Sequence, residues 1–217
     1  MKVIQSMVGR QPITLPRLYA IADASFFSAT EDLLCFAREL AAGGVTLLQY
    51  RNKTGSARQI LDHALVLKQS LPASVQLIMN DRADLCLAAK FDGVHLGQDD
   101  LSAESARRLL GDKRWLGVST HNPEQVAAAD ATPADYVAVG PVFATNSKER
   151  PDPVIGLEGV RRARALTRKP LVAIGGIARE NCRSVVDAGA DSVAVISDLI
   201  RSPRTAAQDF LRLFAAS

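Results

Sequence analysis

Short apolar runs alternate with longer amphipathic stretches from Arg17 to the end of the sequence. The runs recur at intervals of roughly 20 to 30 residues, a spacing typical of repeated βα units. They are almost continuously hydrophobic, as expected for parallel strands that are covered on both faces. The strand candidates are 17–22, 45–50, 75–80, 93–96, 115–119, 136–140, 171–175 and 192–197. This pattern predicts an α/β fold in which eight βα units close into a (β/α)8 TIM barrel.

The stretches between the candidate strands carry helix start and stop signals. Thr30 precedes two acidic residues and an apolar series, and Gly43 and Gly44 follow that series, so we expect a helix with Thr30 as its N-cap. Asn122 and Pro123 supply a capping side chain and a proline at the first helical position of another helix. Further helices are predicted at 56–71, 82–89, 102–110, 157–167, 179–188 and 203–215.

The length of 217 residues suits one barrel domain better than two domains. We therefore expect a catalytic domain over 17–217, preceded by an N-terminal arm over 1–16 that contains Pro12 and Pro16. The arm either covers the bottom of the barrel or is mobile, and the sequence does not choose between these alternatives.

Several protein classes are disfavoured by composition. No stretch approaches the roughly 18 apolar residues of a membrane span, and the first residues do not resemble a signal peptide, so a cytoplasmic protein is expected. A net charge of +3 gives no indication of a nucleic-acid partner. Cys35, Cys86 and Cys182 form no C-x-x-C pair and are expected to be small buried hydrophobic residues. Nucleotide-binding, serine-hydrolase and zinc-protease motifs are absent from the sequence.

Function is expected at the carboxyl ends of the strands, because these ends and the loops after them gather at one mouth of a parallel barrel. In the segment QYRNK, alternation along a strand sends Gln49 and Arg51 to the same side, and Lys53 adds a second cation. Together they can bind a pyrophosphate. The structural alternative is a pair of solvated cations at the end of a strand.

Two carboxylates follow adjacent strands and form a candidate metal site. Asp81 follows the third strand, and Asp99 or Asp100 follows the fourth, so the acids can share one Mg²⁺ whose other ligands are phosphate oxygens. The alternative is helix capping, by Asp81 for the helix after Arg82 and by the other acids for the helix after Ser102.

The segment 140–156 is the longest loop rich in glycine, proline and hydroxyl groups, and its Thr145, Ser147 and Lys148 can close over an anionic substrate as a mobile lid. Gly175, Gly176 and residues 196–197 end the last two strands, where barrels often bind a phosphate through backbone NH groups. Of the histidines, His63 is expected at the surface, and His95 is expected to be a core residue with its hydrogen bonds satisfied.

Taken together, these segments resemble the thiamine phosphate synthase family. The resemblance rests on QYRNK, MNDR, GVHLGQDD, GVSTH, the loop with Thr145, Ser147 and Lys148, VAIGGI and VAVIS, in the family's order and spacing over about residues 18–200. One departure is Ser147, where the family often has a threonine; serine keeps the hydroxyl.

The resemblance implies the site residues as well. It assigns the pyrimidine diphosphate to Gln49, Tyr50, Arg51, Asn52, Lys53, Asn80, Ser119 and Lys148. It assigns the thiazole phosphate to Thr145, Asn146, Ser147, Gly176, Ile196 and Ser197, and Mg²⁺ to Asp81 and Asp100. Arg51, Lys148 and Ser119 are the expected catalytic residues.

The implied reaction is a transferase step of thiamine biosynthesis. The 4-amino-2-methyl-5-(diphosphooxymethyl)pyrimidine and the thiazole phosphate give thiamine phosphate and pyrophosphate, by a dissociative substitution at the pyrimidine methylene. The partners would be these small molecules, without nucleic acid or membrane, and homo-oligomerisation is left open. The alternatives are the family's sister, the thiazole tautomerase; a non-catalytic sensor of a phosphorylated ligand; and a sugar-phosphate isomerase, which would instead need an acid and a base facing the substrate carbon.

Overall fold

The computed structural model of the chain describes residues 13–145 and 153–215. Its strands are β1 (Leu18–Asp23), β2 (Leu47–Arg51), β3 (Gln76–Asn80), β4 (Gly93–Leu96), β5 (Trp115–Thr120), β6 (Tyr136–Val139), β7 (Leu171–Ile174) and β8 (Ser192–Val195). Its α-helices are α1 (Thr30–Ala42), α2 (Ala57–Ser70), α3 (Ala83–Ala88), α4 (Ala103–Leu110), α5 (Pro123–Asp130), α6 (Gly156–Leu166), α7 (Cys182–Asp187) and α8 (Pro203–Ala215). Short 3-10 helices lie at Ala24–Phe26 and Ser197–Leu199.

The strands form a closed parallel barrel. Each strand pairs with its neighbours in sequence, and β8 pairs with β1 to complete the circle. The predicted (β/α)8 barrel is therefore confirmed, and each strand candidate overlaps an observed strand.

Side chains of the strands alternate between the inside of the barrel and the layer under the helices. Leu18, Ala20 and Ala22 of β1 belong to the large core between strands and helices, whereas Tyr19 and Ile21 belong to a separate cluster inside the barrel. Because the parallel strands are covered on both faces, the runs that encode them are hydrophobic throughout. The barrel is thus a filled core, which directs ligand binding to its mouth.

The large Tyr136 side chain fits inside the barrel because β5 carries a glycine opposite it. A Cβ atom added at Gly117 would fall within the ring of Tyr136, so any larger residue would displace the phenol. The resulting pocket holds Tyr136 in a fully buried position, edge-on to Tyr19 with ring centroids 6.2 Å apart.

The residues just before β1 close the amino-terminal end of the barrel. Leu15 is buried in the interior cluster, and Ile13 packs against that cluster. The predicted arm over 1–16 falls mostly outside the described residues, and its boundary stays a prediction.

Helix α5 begins as predicted, with Asn122 Oδ1 accepting from the backbone NH of Gln125 at 2.8 Å and Pro123 in the first turn. Helix α7 begins three residues later than the predicted range because Asn181 ties the preceding turn to β7. Its side chain accepts from Ala178 N at 2.9 Å and donates to Gly176 O at 3.0 Å. No helix in the described parts of the chain combines the length and apolar character needed to cross a membrane.

The prediction of Thr30 as an N-cap is wrong, whereas His63 lies within α2 and is partly exposed, as predicted. Ala29 occupies the N-cap position of α1, and its helix has no side-chain cap. The Thr30 hydroxyl lies 3.0 Å from His63 Nε2 instead. His63 is half-buried, and its Nδ1 lies 2.9 Å from the Tyr50 hydroxyl. The Thr30 hydroxyl, which the local sequence predicted as an N-cap of α1, therefore contacts His63 of α2 instead.

The prediction for the cysteines is correct for two of the three. Cys86 and Cys182 are buried, whereas Cys35 is exposed. Cys35 lies on α1 between the buried Leu34 and Phe36, at a position that faces away from the core. Cys35 is small and apolar, but helical periodicity places it on the solvent-facing side of α1.

Candidate active site

A cavity of about 510 Å³ opens at the carboxyl ends of the strands. All eight strands or the loops that directly follow them contribute to its wall. The predicted site residues in the wall are Gln49, Arg51, Lys53, Asn80, Asp81, Asp100, Ser119, Thr145, Gly176, Ile196 and Ser197. Three further predicted residues, Asn146, Ser147 and Lys148, lie outside the described residues. The barrel therefore brings together side chains that are widely separated in the sequence.

Tyr50 and Asn52 lie away from this cavity. Tyr50 is fully buried in the layer beneath α2, as strand alternation requires for a neighbour of Gln49 and Arg51. Asn52 shapes the loop after β2, because its Oδ1 accepts from Gly55 N at 2.8 Å and its Nδ2 donates to the Tyr50 hydroxyl at 3.1 Å. Their contacts support the loop that carries Lys53 and do not reach into the cavity.

Arg51 is held by a buried carboxylate. Its Nη1 donates to Oδ2 of Asp23, the last residue of β1, which is only 2% exposed. Asp23 Oδ1 also accepts from Ser25 N at 3.0 Å and Ser25 Oγ at 2.8 Å. The strand pairing places Asp23 directly beside Arg51. Asp23 therefore orients the guanidinium while the rest of that group faces the cavity.

Lys53, Asp81 and Asp100 form a second charged group. Lys53 Nζ forms an ion pair with Asp81 Oδ2, and Asp100 Oδ2 accepts from Gly97 N at 2.7 Å. Burial raises the pKa of Asp81, Asp100 adds to the rise, and Lys53 opposes it. Asp81 lies in the left-handed region at φ 61°, which aspartate tolerates better than most residues.

The capping alternatives for these acids are not observed. Arg82 holds the N-cap position of α3 without a side-chain cap, and Ser102 caps α4 by accepting from Ser105 N at 3.2 Å. The side chains of Asp81 and Asp100 are therefore available to the cavity.

Asn80 has a buried donor without a partner among the described residues. Its Nδ2 is enclosed and makes no hydrogen bond there. A buried amide NH left unpaired is costly, so such a group at the wall of a cavity is well suited to a ligand acceptor.

Gln49 and Ser119 lie deeper in the mouth, and each is hydrogen-bonded to a buried side chain of the barrel interior. Gln49 is 3% exposed, and its Nε2 donates to the Tyr19 hydroxyl at 2.8 Å. Ser119 Oγ lies 2.9 Å from Nε2 of His95, which is itself buried. Burial lowers the pKa of His95 to about 4, an effect that Asp100 opposes and Lys53 reinforces. As expected, His95 is a satisfied buried histidine, although one edge of it also lines the cavity.

The opposite side of the mouth is built from backbone. Gly175 and Gly176 have φ values of 101° and 63°, and a Cβ at Gly176 would lie 2.5 Å from the carbonyl oxygen of Ala144. Glycine is therefore required for the loops after β6 and β7 to approach each other. Phe143 N donates to Gly175 O at 2.9 Å and fixes this approach.

An ion-pair cluster supports the same side from outside the cavity. Arg179 Nε and its backbone NH both donate to Asp198 Oδ2 at 3.0 Å, and Arg179 Nη1 donates to Asp209 Oδ2 at 3.0 Å. The cluster connects the loop after β7 to the short helix that contains Ser197 and to α8. It therefore holds Gly176 and Ser197 in a fixed relation.

Sequence reasoning gave no individual role to Asp23, which lies beside the mouth, or to Tyr19, which lines it. The available signal was alternation along β1, which sends Tyr19, Ile21 and Asp23 to the inside together. The ion pair of Asp23 was not predictable from that strand alone, because it depends on the register with β2.

The fold and the site define a (β/α)8-barrel enzyme whose mouth carries clustered cations, paired acids and a glycine-lined backbone turn, a combination suited to small phosphorylated ligands. Among the described residues, no three His, Cys, Asp or Glu side chains form a metal-binding group by themselves.

Comparison with known proteins identifies the family. Residues 18–199 match the family described as thiamine monophosphate synthase. The thiamine-phosphate synthase of Koribacter versatilis is 62% identical over 204 residues, covering 93% of this chain and 97% of that protein. That of Chloroflexus aurantiacus is 44% identical, covering 85% of each chain. The solved thiamine phosphate pyrophosphorylase of Pyrococcus furiosus superposes with a TM-score of 0.81 at 32% identity, covering 92% of this chain and 96% of that one.

The chain therefore belongs to the thiamine monophosphate synthase family. It is a transferase of thiamine biosynthesis with thiamine-phosphate synthase activity, so the predicted family, enzyme class and function are confirmed.

Proposed function

We propose that the cavity joins the pyrimidine diphosphate to the thiazole phosphate by holding them in two separate halves. The diphosphate half is defined by Arg51, Lys53, Asn80, Asp81, Asp99 and Asp100. The thiazole-phosphate half is defined by Thr145, Gly176, Ile196 and Ser197. Gln49 and Ser119 lie below the diphosphate half and would contact the pyrimidine ring.

We infer from the charge balance of the diphosphate half that binding requires a divalent cation. Among the described residues in its wall, the cations are Arg51 and Lys53, whereas Asp81, Asp99 and Asp100 are acidic. Arg51 is further neutralised by Asp23. A region with more acids than cations would repel a diphosphate, and a bound Mg²⁺ would reverse that balance.

The donor set fits Mg²⁺. Asp81 and Asp100 come from adjacent loops and interact with each other, so they can share one hard cation. Because they are only two, diphosphate oxygens and water would complete the shell, as is usual for Mg²⁺ in phosphate-binding sites. When bound, the ion would neutralise charge that develops on the departing pyrophosphate.

The chain's own groups would bind and orient the diphosphate. Arg51, aligned by Asp23, and Lys53, once released from Asp81, would donate to phosphate oxygens. The unpaired Nδ2 of Asn80 would supply a further donor. By resemblance to the family, Lys148, from the segment 140–156, would stabilise the leaving group.

The thiazole phosphate would bind to backbone NH groups at the glycine turn and at Ser197, with Thr145 adding a hydroxyl. By the same resemblance, Asn146 and Ser147 would complete this half. The rigid connection through Arg179 would keep the phosphate at a fixed distance from the pyrimidine methylene.

The chemistry then needs positioning and electrostatics and no protein nucleophile. The bond between the methylene carbon and the diphosphate oxygen breaks, and its electron pair leaves with pyrophosphate. The electron-rich aminopyrimidine carries the positive charge on its methylene. The thiazole nitrogen lone pair forms the new bond to that carbon and yields the thiazolium of thiamine phosphate.

Magnesium dependence of pyrophosphate release tests the metal site. Asp81→Asn and Asp100→Asn should each raise the Mg²⁺ concentration for half-maximal release by at least about tenfold, because each removes a charged ligand. Glu104→Gln, which removes an exposed charge from the first turn of α4, is the matched control and should leave the midpoint unchanged. Release that does not depend on Mg²⁺, or midpoints unchanged in both aspartate variants, would refute the proposed site.

A further inference from the structure

Four hydrogen bonds run in series across the inside of the barrel, beneath the cavity. Gln49 Nε2 donates to the Tyr19 hydroxyl at 2.8 Å, and the Tyr19 and Tyr136 hydroxyl oxygens lie 3.0 Å apart. The Tyr136 hydroxyl lies 3.1 Å from His95 Nδ1, and His95 Nε2 lies 2.9 Å from Ser119 Oγ. This series, the interior relay, connects the two residues placed against the pyrimidine ring through three buried side chains.

The proton positions in the interior relay have one arrangement that satisfies every buried group. Gln49 Nε2 is only a donor, so the Tyr19 oxygen accepts from it. Tyr19 then gives its own hydrogen to Tyr136, its other partner in the described structure. Tyr136 gives its hydrogen to His95 Nδ1, and His95 donates from Nε2 to Ser119. The hydrogen of Ser119 is left to point into the cavity.

The reverse arrangement leaves a buried donor unsatisfied. If Ser119 donated to His95 and His95 donated to Tyr136, Tyr136 would have to donate to Tyr19. The Tyr19 oxygen would then accept twice, and its hydrogen would have no acceptor among the described residues. A buried unpaired hydroxyl is unfavourable, which selects the first arrangement. Burial lowers the pKa of His95 to about 4 and so keeps the side chain neutral. Only a neutral imidazole can accept at one ring nitrogen and donate from the other.

The side chains of the interior relay are tightly constrained. Tyr19 and Tyr136 are fully buried, and the ring of His95 stacks on Tyr136 with centroids 5.5 Å apart. The absence of a side chain at Gly117 creates the space for Tyr136. The relay therefore cannot reorient to suit a different ligand without repacking the barrel interior.

We propose that the interior relay determines substrate specificity by presenting Ser119 as a hydrogen-bond donor and Gln49 Oε1 as an acceptor to the pyrimidine ring. In this proposal Tyr19, Tyr136 and His95 are positioning residues that act without touching the substrate's reacting atoms. The proposal rests on the proposed function, because it assumes that the ring lies against Gln49 and Ser119.

The pattern matches one ring chemistry and opposes its nearest analogue. A 4-aminopyrimidine offers an amino donor beside a ring nitrogen acceptor, which pairs with an acceptor and a donor in the wall. A 4-oxopyrimidine offers a carbonyl acceptor beside a ring NH, so both interactions become mismatched. Sites that hydrogen-bond a specific group reject analogues strongly because buried groups are left unpaired.

The test compares pyrophosphate release from the 4-amino and 4-oxo pyrimidine diphosphates with saturating thiazole phosphate and Mg²⁺. The wild-type protein should strongly prefer the 4-amino substrate in kcat/KM. Tyr136→Phe interrupts the interior relay without changing ring size, and should reduce that preference by at least about tenfold. The KM for thiazole phosphate should stay unchanged, because the hydrogen bonds of the relay end at Gln49 and Ser119, outside that half of the cavity.

Two further variants make the result unambiguous. Tyr19→Phe interrupts the relay at another link and should give the same loss of preference, which covers the case in which Tyr136→Phe does not fold. Thr120→Val is the control, because it removes a buried hydroxyl on β5 that bonds Ala138 O at 2.9 Å, outside the relay. It should keep the wild-type preference.

The outcomes separate the two proposals. Turnover by the wild type with an unchanged substrate preference in the tyrosine variants would refute the relay and leave the proposed function intact. Absence of turnover by the wild type with either diphosphate would refute the proposed function itself.

Discussion

Asp23 illustrates how a single residue outside the cavity wall sets up a binding group inside it. Its carboxylate is almost fully buried and receives hydrogen bonds from Ser25 and Arg51. A buried charge of this kind is tolerated only when it is paired. The pairing fixes the guanidinium in one geometry, which reduces the entropy lost when a diphosphate binds.

We predict that Asp23→Asn lowers kcat/KM for the pyrimidine diphosphate by about tenfold, because Arg51 loses its charged partner but keeps its own charge. The KM for thiazole phosphate should change little. Steady-state kinetics with each substrate varied in turn measures both. Glu31→Gln, which removes an exposed ion pair to Arg38, is the control. Equal kinetics for Asp23→Asn and the wild type would show that Arg51 needs no orientation.

At the scale of elements, close packing against the loop after β6 restricts which residues the turn after β7 can contain. Gly176 and Gly111 have nearly the same φ values, 63° and 68°, but very different surroundings. A Cβ at Gly176 would meet the backbone of the loop after β6, whereas a Cβ at Gly111 would have nothing within 4 Å. The two glycines therefore share a positive φ and differ in the crowding around them.

Alanine at either glycine should cost about 1 to 3 kcal/mol for a backbone conformation with positive φ. Gly176→Ala should cost a further ~1 to 3 kcal/mol from overpacking and should also raise the KM for thiazole phosphate. Urea unfolding gives the free energies, and steady-state kinetics gives the KM. If the two variants were equally stable and bound the thiazole phosphate equally, the close approach of the two loops would not matter.

The elements were largely predictable, and the exceptions have physical causes. Strand positions follow from hydrophobic runs, and the start of α5 follows from Asn122 and Pro123, because these signals are local. The Thr30 cap failed because His63, on another helix, competes for the hydroxyl. Tyr50 was grouped with the site by resemblance alone, although alternation between Gln49 and Arg51 directs it to the other face.

At the scale of the whole molecule, the barrel interior changes from apolar to polar along its axis. Leu15 and Leu47 belong to the interior cluster at the amino-terminal end, while Gln49, His95 and Ser119 carry the interior relay under the mouth. Sequence patterns predicted the closed barrel, and together with the family resemblance they predicted eleven of the residues in the cavity wall. They did not predict the relay, because it depends on contacts among five strands whose register only the closed barrel fixes.

The buried His95 should make stability depend on pH. Its folded-state pKa of about 4 lies below the ordinary value of 6.5, so the unfolded chain binds the proton more readily. The contribution of neutral His95 to the free energy of unfolding is complete above pH ~6.5. It is lost as pH falls toward 4, by about 3 kcal/mol in total at ~1.4 kcal/mol per pK unit. Urea unfolding between pH 7 and 4 measures this loss. His95→Gln should weaken the dependence, and an identical slope in that variant would contradict the assignment.

The most direct test of the central claim is the formation of thiamine phosphate and pyrophosphate by the purified protein. We expect equal amounts of both products, only when the pyrimidine diphosphate, the thiazole phosphate and Mg²⁺ are all present, with strong loss of activity in Asp81→Ala and Lys148→Ala. Binding of thiazole phosphate without any release of pyrophosphate would contradict the account and would favour the tautomerase or a phosphate-ligand sensor.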